Sequence, residues 1–451
     1  MKKTRKIAII GAGLAGSSAA LAFQNNGFSV SLYSDKTQLA LRDQLPATGT
    51  AIYFGKKSQE ADSLITENLY NESSFTDGCS MRIYNEENRP LLSFDANYHY
   101  YRAQAVDVRL RVDNRLEHFI NSGGKFYVKD INHDELDAIA LQNDLTLIAT
   151  GKQGLADLFE VDADRTVYHS PQRYLLSVNV TGLPHGPNTF SHRSQAGSKH
   201  NLITDHATQG EIFTGPLLHK DIGESWALLA FAKPDSDWQK RFGKAKDAAS
   251  ALAVFQKIFH DYFPEDVTHI DKLHPIESDE NTWLKGAVTP TVRKAVGRTK
   301  NGQLVAALGD TAISFDPIAG QGAQNISIQI ASLVQAAKSH EGTFDAEWIE
   351  KQFDTHWQQH GYGATEVTRL FLGDPKYAEH IHLFLVAASV NPKKGGAAFF
   401  RLLSEPELIN RMQTEDSLKK YIEEETGKSI ESLSKKFLPA TSFSTAEVVS
   451  T

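Results

Sequence analysis

The sequence predicts an α/β protein in which a nucleotide-binding unit on a mainly parallel sheet is interrupted by a β-rich unit and followed by a helical C-terminal region. Three observations carry this. Short apolar runs that close on small residues or glycine recur at Ile7–Ile10, Leu145–Ala149 and Leu304–Leu308, the mark of strands buried on both faces. Stretches of helical period alternate with them. The 451 residues also exceed an ordinary domain about threefold.

Element by element, Ile7–Ile10 ends at Gly11, and the small and apolar residues Leu14–Gln24 supply the crossover helix that a parallel strand requires. Gly27 then precedes a second strand, Phe28–Tyr33. Val112, Leu116, Phe119 and Ile120 fall at helical spacing, and Gly123-Gly124 stops that helix before the strand-like Lys125–Val128. After about residue 165, Tyr174–Val180 and Ser225–Ala232 are β-rich, and Leu252, Phe255, Phe259, Tyr262 and Phe263 form an apolar stripe able to cover their sheet. Leu304–Leu308 restores the buried-strand pattern, and Ile326, Ile330, Leu333, Val334 and Ala337 continue it with a helix, so the chain re-enters its first unit. The expected division is 1–165 with 285–345 for nucleotide binding, 166–284 with part of 70–103 for substrate, and 346–451 as the helical region, its Ser/Thr-rich tail from Thr441 frayed.

Composition narrows the function. A net charge of −8, with no basic block beyond the first six residues, offers nothing to nucleic acid. The single cysteine, Cys79, cannot form an internal disulfide or a multi-cysteine metal site and fits a reducing, cytoplasmic setting. The basic, then apolar, N-terminus resembles a signal peptide, but its glycine spacing and the second strand behind it favour a folded β-turn-α unit, and the run is too short and interrupted for a membrane span.

Gly11-Ala12-Gly13-Leu14-Ala15-Gly16 is the dinucleotide fingerprint. Its first glycine permits the tight turn, the second admits backbone to a pyrophosphate, and the third lets helix pack on strand, with the helix N-terminus facing the anion. The ribose-binding acid is expected at the end of the second strand, at Ser34-Asp35. NAD and FAD share this fingerprint. A second glycine-rich region, Gly309-Asp310, Asp316-Pro317 and Gly320-Gln321-Gly322-Ala323-Gln324-Asn325, points to FAD: a carboxylate at a strand end can accept from a ribityl hydroxyl, and amides at a helix start can stabilise a reduced flavin.

The order of these motifs, with Ala149-Thr150-Gly151 between them, resembles the FAD-dependent aromatic hydroxylase superfamily. Within it the chain is similar to the oxygenase component of styrene and indole monooxygenases, in Ala105–Leu110, Gly123–Phe126, Thr150-Gly151-Lys152 and Leu308-Gly309-Asp310. The resemblance implies FAD supplied in reduced form by a separate NAD(P)H-dependent flavin reductase, O2 as co-substrate and a small apolar aromatic or vinyl substrate, with a homodimer as one assembly state. It implies no catalytic side chain, since a flavin C4a-hydroperoxide carries the chemistry, and no metal. Thr150 stands where self-sufficient hydroxylases carry aspartate, and their downstream arginine is missing. The stretches matching the substrate pocket, Ala47–Ala51 and Phe75–Arg82, follow neither the styrene nor the indole pattern; Ala47, Gly49, Ala51 and the indole-like Ala103 are the candidate wall. The cofactor set is Gly11, Gly13, Leu14, Ala15, Gly16, Ser34, Asp35, Arg42, Arg109, Thr150, Gly151, Asp310, Pro317, Gly320, Gln321, Gly322, Ala323 and Asn325.

Several readings stay open. Arg42 contacts the ribose or adenine side of FAD or is a solvated loop charge. Arg109 anchors a flavin phosphate or pairs with Asp113 one turn on. His356 and His360 have zinc-pair spacing, but without a third ligand a packed helix is the better reading. Cys79, with no base placed beside it, reads as inert. A self-sufficient NAD(P)H-dependent hydroxylase and a flavin-binding protein without oxygenase activity are the alternatives.

Overall fold

The computed structural model describes residues 4–46, 50–70, 75–98, 102–152, 154–194 and 197–437. Its first sheet has six strands in the order Val296–Arg298, Leu304–Ala307, Leu145–Ile148, Lys6–Ile10, Ser29–Ser34 and Lys125–Val128. All neighbours are parallel except the antiparallel Val296–Arg298. Ile7–Ile10 are buried on both faces, as an apolar run without alternation requires. The helix Leu14–Asn25 packs on this sheet through Ala19, Ala20 and Phe23, whose small neighbours allow close approach. The long helix Gln321–Ser339 follows the last parallel strand and buries Ile326, Ile330, Val334 and Ala337 in the same core.

The second sheet has eleven strands. Its main path runs His274–Pro275, Tyr174–Thr181, Gly223–Ala232, Gly210–His219, His200–His206, Gly78–Tyr84 and Pro90–Asn97. Trp283–Ala287 pairs with Tyr174–Thr181, while Ala103–Asp107 meets Gly210–His219 and also carries Thr50–Tyr53 and Phe75–Thr76. The expected apolar stripe is the helix Ala248–Tyr262, whose Leu252, Phe255 and Phe259 bury against this sheet with Trp226 and Leu228. A separate apolar cluster joins Phe94, Ala103 and Ala105 of the sheet to Phe384, Phe399, Phe400 and Tyr421 of the C-terminal helices.

Two boundaries of the expected division shift. Thr50–Tyr53 and all but the first residue of Ala103–Asp107 were counted with the nucleotide-binding unit but pair in the second sheet. Ala103-Gln-Ala-Val-Asp has no long apolar run of its own, so its sheet is set by distant partners rather than by local pattern. Likewise Trp283–Ala287 extends the second sheet past residue 284. The tail from Thr441 lies outside the described residues. Among those described, no helix is long and apolar enough to cross a membrane.

Candidate functional site

Three loops meet at the C-terminal ends of adjacent parallel strands, where nucleotide sites of open α/β sheets form. Backbone bonds stitch them: Gly11 N donates to Tyr33 O (2.8 Å), Ala149 N to Ile10 O (2.8 Å) and Leu308 N to Ile148 O (2.9 Å). Gly11 has φ +100°, and a Cβ there would stand 2.5 Å from Ala149 O. A Cβ on Gly16 would stand 1.7 Å from Gly11 O, so this glycine lets the helix Leu14–Asn25 touch the turn. Gly13 differs. A Cβ on it would meet nothing within 4 Å, and no side chain caps the helix that it begins. The helix start is therefore uncapped by a side chain and has room beside Gly13, with the positive end of the helix dipole behind it, a ready cradle for an anion.

The second and third loops complete the cleft. Gly151 has φ +75° with open space at its Cβ, and its carbonyl accepts from Thr311 Oγ1 (3.0 Å). Asp310 is 40% exposed yet crowded by the cleft walls, with Lys152 Nζ 4.0 Å away; desolvation raises its carboxyl above the ordinary range against the pull of Lys152. The buried Asp316 caps the turn Pro317–Ala319 by accepting from Ile318 N (3.1 Å). Gly320, at φ +60°, then starts Gln321–Ser339 without a side-chain cap. A Cβ on Gly320 would press on the Phe54 ring at 2.5 Å, whereas one on Gly322 would meet nothing within 4 Å. The cleft thus has a second uncapped helix start.

Residues 151–268 match the model of the styrene monooxygenase A substrate-binding domain, and residues 6–44 match the model of glucose inhibited division protein A. The chain is similar to styrene monooxygenases. Styrene monooxygenase StyA of Pseudomonas fluorescens is 26% identical to it over 227 residues, and the match spans half of this chain and 52% of that protein. The StyA of another Pseudomonas matches to the same extent. The chain thus spans about half the length of the curated relatives that it matches. In fold it is similar to a flavoprotein/dehydrogenase from Cytophaga hutchinsonii (13% identity, TM-score 0.58, 94% of this chain and 99% of that one). It is also similar to the tetrameric form of 2-methyl-3-hydroxypyridine-5-carboxylic acid oxygenase (15% identity, TM-score 0.55, 93% and 96%). The cofactor is FAD. The cleft fits it: two uncapped helix starts, open space beside Gly13, Gly151 and Gly322, and the half-open Asp310 between them.

The other expected cofactor residues of the flavoprotein divide. Leu14 and Ala15 open the first helix, and Ala15 packs on Gly309. Thr150 precedes Gly151 in the second loop, and Ala323 lies in the first turn of Gln321–Ser339. Ser34 is buried at its strand end, and Asp35 beside it is exposed and ion-paired with Lys36.

Four side chains turn away from the cleft. Gln321 is buried and donates through Nε2 to Ala319 O (2.9 Å) and Leu403 O (3.0 Å), and Asn325 Oδ1 accepts from His356 Nε2 (2.8 Å), so both serve the C-terminal helices. Arg42 is not a solvated loop charge. It lies in the helix Gln38–Asp43 and is held by Asp43 (2.9 Å), Asp113 (3.1 Å) and Asp221 (2.7 Å). Arg109 is 2% exposed and folds back on Asp107, the cap of its own helix (2.8 Å), and onto Asp279 (2.8 Å). The expected pairing of Arg109 with Asp113 fails because Asp107 precedes it by two residues and takes its guanidinium, while Asp113 points to Arg42.

Of the expected pocket wall, Ala47 and Gly49 lie outside the described residues. Ala51 sits in the strand Thr50–Tyr53 opposite Val106. Ala103 is fully buried opposite Thr76, in the apolar cluster that also holds Ile52, Phe54 and Ala319 of the flavin loop.

His356 and His360 are both buried, and desolvation pushes His356 down to about 3 and His360 well below its ordinary value. They belong to no three-ligand group among the described residues; the one such group, His219, Asp221 and Asp279, is already held by Arg42, Arg109 and Lys220. Cys79 is buried against Tyr98 Oη (2.9 Å), and desolvation pushes its thiol up to about 12, which leaves it unreactive.

Sequence reasoning passed over Asp62, Arg111, Arg115 and Tyr53, which meet in a buried polar group beneath the fingerprint helix. The spacing of Arg111 and Arg115, one turn apart, was its only local trace.

Proposed function

We propose that this flavoprotein is a monooxygenase that takes reduced FAD from a separate NAD(P)H-dependent flavin reductase and uses O2 to epoxidise or hydroxylate a small apolar aromatic or vinyl substrate, indole- or styrene-like. The observation that carries this reading is the match of residues 151–268 to a styrene monooxygenase substrate-binding domain, set against a dinucleotide turn with no second nucleotide fingerprint in the sequence.

Bound reduced FAD supplies with O2 the electrophilic oxygen for the transfer. The chain's part is to bind, orient and exclude water. The open helix start at Gly13 holds the diphosphate, Asp35 accepts from the adenosine ribose, and Asp310 accepts from the ribityl chain. First-turn amides at Gln321–Ala323 stabilise negative charge on the ring. The buried cluster of Ile52, Phe54, Ala103 and Ala319 gives that loop apolar surroundings, and Ala103 with Ala47, Gly49 and Ala51 are the residues proposed for the substrate wall. Such a surface favours uncharged acceptors and demands no acid/base side chain. Thr150 in place of an aspartate supports the dependence on an outside reductase.

The test is the purified chain with FAD, O2 and indole or styrene, with and without a flavin reductase. Oxygenated product should form only with the reductase or with chemically reduced FAD. Rapid flavin bleaching by NAD(P)H alone would point to a self-sufficient hydroxylase, and no product under either supply to a non-oxygenase.

A further inference from the structure

Two arginines and one carboxylate are shut inside the nucleotide-binding unit. Arg111 and Arg115 lie one turn apart on the helix Val108–Asn121, each 2% exposed, and both reach Asp62 at the end of the helix Lys56–Ser63. Arg111 Nη1 stands 3.0 Å from Asp62 Oδ2, and Arg115 Nη2 donates to Oδ1. Tyr53 Oη (3.1 Å) and Ser327 Oγ (3.0 Å) donate to the same oxygen. Although burial opposes it, the two guanidiniums hold the Asp62 carboxyl below its ordinary range, so it is ionised.

Among the described residues the charges do not cancel. Asp62 is the one carboxylate paired with either arginine among the described residues, which leaves one positive charge in excess. Arg111 is instead sandwiched by the Tyr53 ring (4.4 Å) and the Tyr70 ring (5.0 Å), a partial compensation, and its Nε has no hydrogen-bond partner. An uncompensated buried charge is costly and calls for an anion nearby.

Its place says which. Arg115 Nη1 donates to Ser18 Oγ, five residues beyond Gly13 and so about 7.5 Å along the axis of the fingerprint helix from that open start. Ser327 lies six residues into the other cleft-facing helix, about 9 Å from its start. The excess charge therefore stands behind two helix N-termini and reinforces their sign, nearest to the Gly13 turn. We infer that Arg111, Arg115 and Asp62 form a buried cationic group that strengthens binding of the dinucleotide's diphosphate at that turn. These are positioning residues acting through the field, and the inference rests on the FAD reading of the cleft.

The test titrates the purified, flavin-free full-length chain with FAD, ADP and riboflavin. Arg115→Gln and Arg111→Gln should weaken FAD and ADP roughly tenfold and leave the phosphate-free riboflavin unchanged. Asp62→Asn, which removes the negative charge and keeps one acceptor oxygen, should act in the opposite direction and tighten both nucleotides. Weaker nucleotide binding in Asp62→Asn, or equal losses for riboflavin, would show a merely structural network and overturn the inference. If Asp62→Asn does not fold, Arg111→Lys against Arg111→Gln decides: affinity kept by lysine and lost by glutamine supports it, and equal affinity in both overturns it. A wild type that binds no FAD would instead overturn the FAD reading, and this inference with it.

Discussion

Gly309 and Ala15 are locked together: a Cβ on Gly309 would stand 2.6 Å from the Cβ of Ala15, and Gly309 also has φ +61°. The two halves of the nucleotide site, nearly 300 residues apart in sequence, touch through a missing methyl group. Gly151 has a similar φ, +75°, but open space at its Cβ. Gly309→Ala should therefore cost about 2–4 kcal/mol, from strain and collision together, and Gly151→Ala about 1 kcal/mol, from strain alone. Urea denaturation of the two variants measures the difference. Equal losses would mean that Ala15 yields freely.

Gly13 should behave in the reverse sense. Because its Cβ would meet no protein atom, Gly13→Val should leave the flavin-free chain within about 1 kcal/mol of wild type. It should still weaken FAD at least about tenfold, since the side chain fills the cradle of the diphosphate. Fluorescence titration beside a denaturation curve separates the two effects. Asp310→Ala should lose about 1–3 kcal/mol of FAD binding and Asp310→Asn less, because asparagine keeps an acceptor.

Arg109→Ala tests the corrected role of that side chain. Removing it strands the buried Asp107 and Asp279, which should cost about 3–5 kcal/mol of stability. FAD affinity of the folded fraction should stay near wild type. A selective loss of FAD binding with stability intact would return Arg109 to the cofactor.

Asp316 makes stability depend on pH. Burial, with Glu211 adding and the Ile318 amide, Arg173 and Lys152 opposing, raises its carboxyl from 3.8 to about 7. The folded chain therefore binds this proton more tightly than the unfolded chain, and stability falls as pH rises from about 4 to about 7, then levels. Asp316→Asn keeps the acceptor for Ile318 N and removes the charge. Wild type should lose ground to this variant across that window and hold a constant gap above it. Asp205, also raised to about 7, contributes equally to both chains and cancels. A gap that does not change with pH would place the carboxyl's titration elsewhere.

The strand Ile7–Ile10, the glycine turn, the helix stops at Gly123-Gly124 and the stripe from Leu252 to Phe263 were legible in the sequence. Each is governed by rules that act within a few residues: backbone sterics at glycine, and the period of apolar side chains. The same rules say why Gly11 and Gly16 must be glycine, whereas Gly13, with extended backbone and open space at its Cβ, answers to the ligand expected beside it.

What only the tertiary structure decided is where long polar side chains point. Arg42 binds Asp221, 179 positions away; Gln321 turns to Leu403 O, 82 away; and Arg115 finds Asp62, 53 away. The sheet to which Ala103–Asp107 belongs was settled in the same way, by Gly210–His219 and Thr50–Tyr53. A buried charge must take whichever opposite charge packing brings beside it, and no local pattern records that choice. The sequence by itself therefore determined the nucleotide turn and the alternation of the first sheet, whereas the partners of its buried charges follow from the packing of elements far apart in the chain.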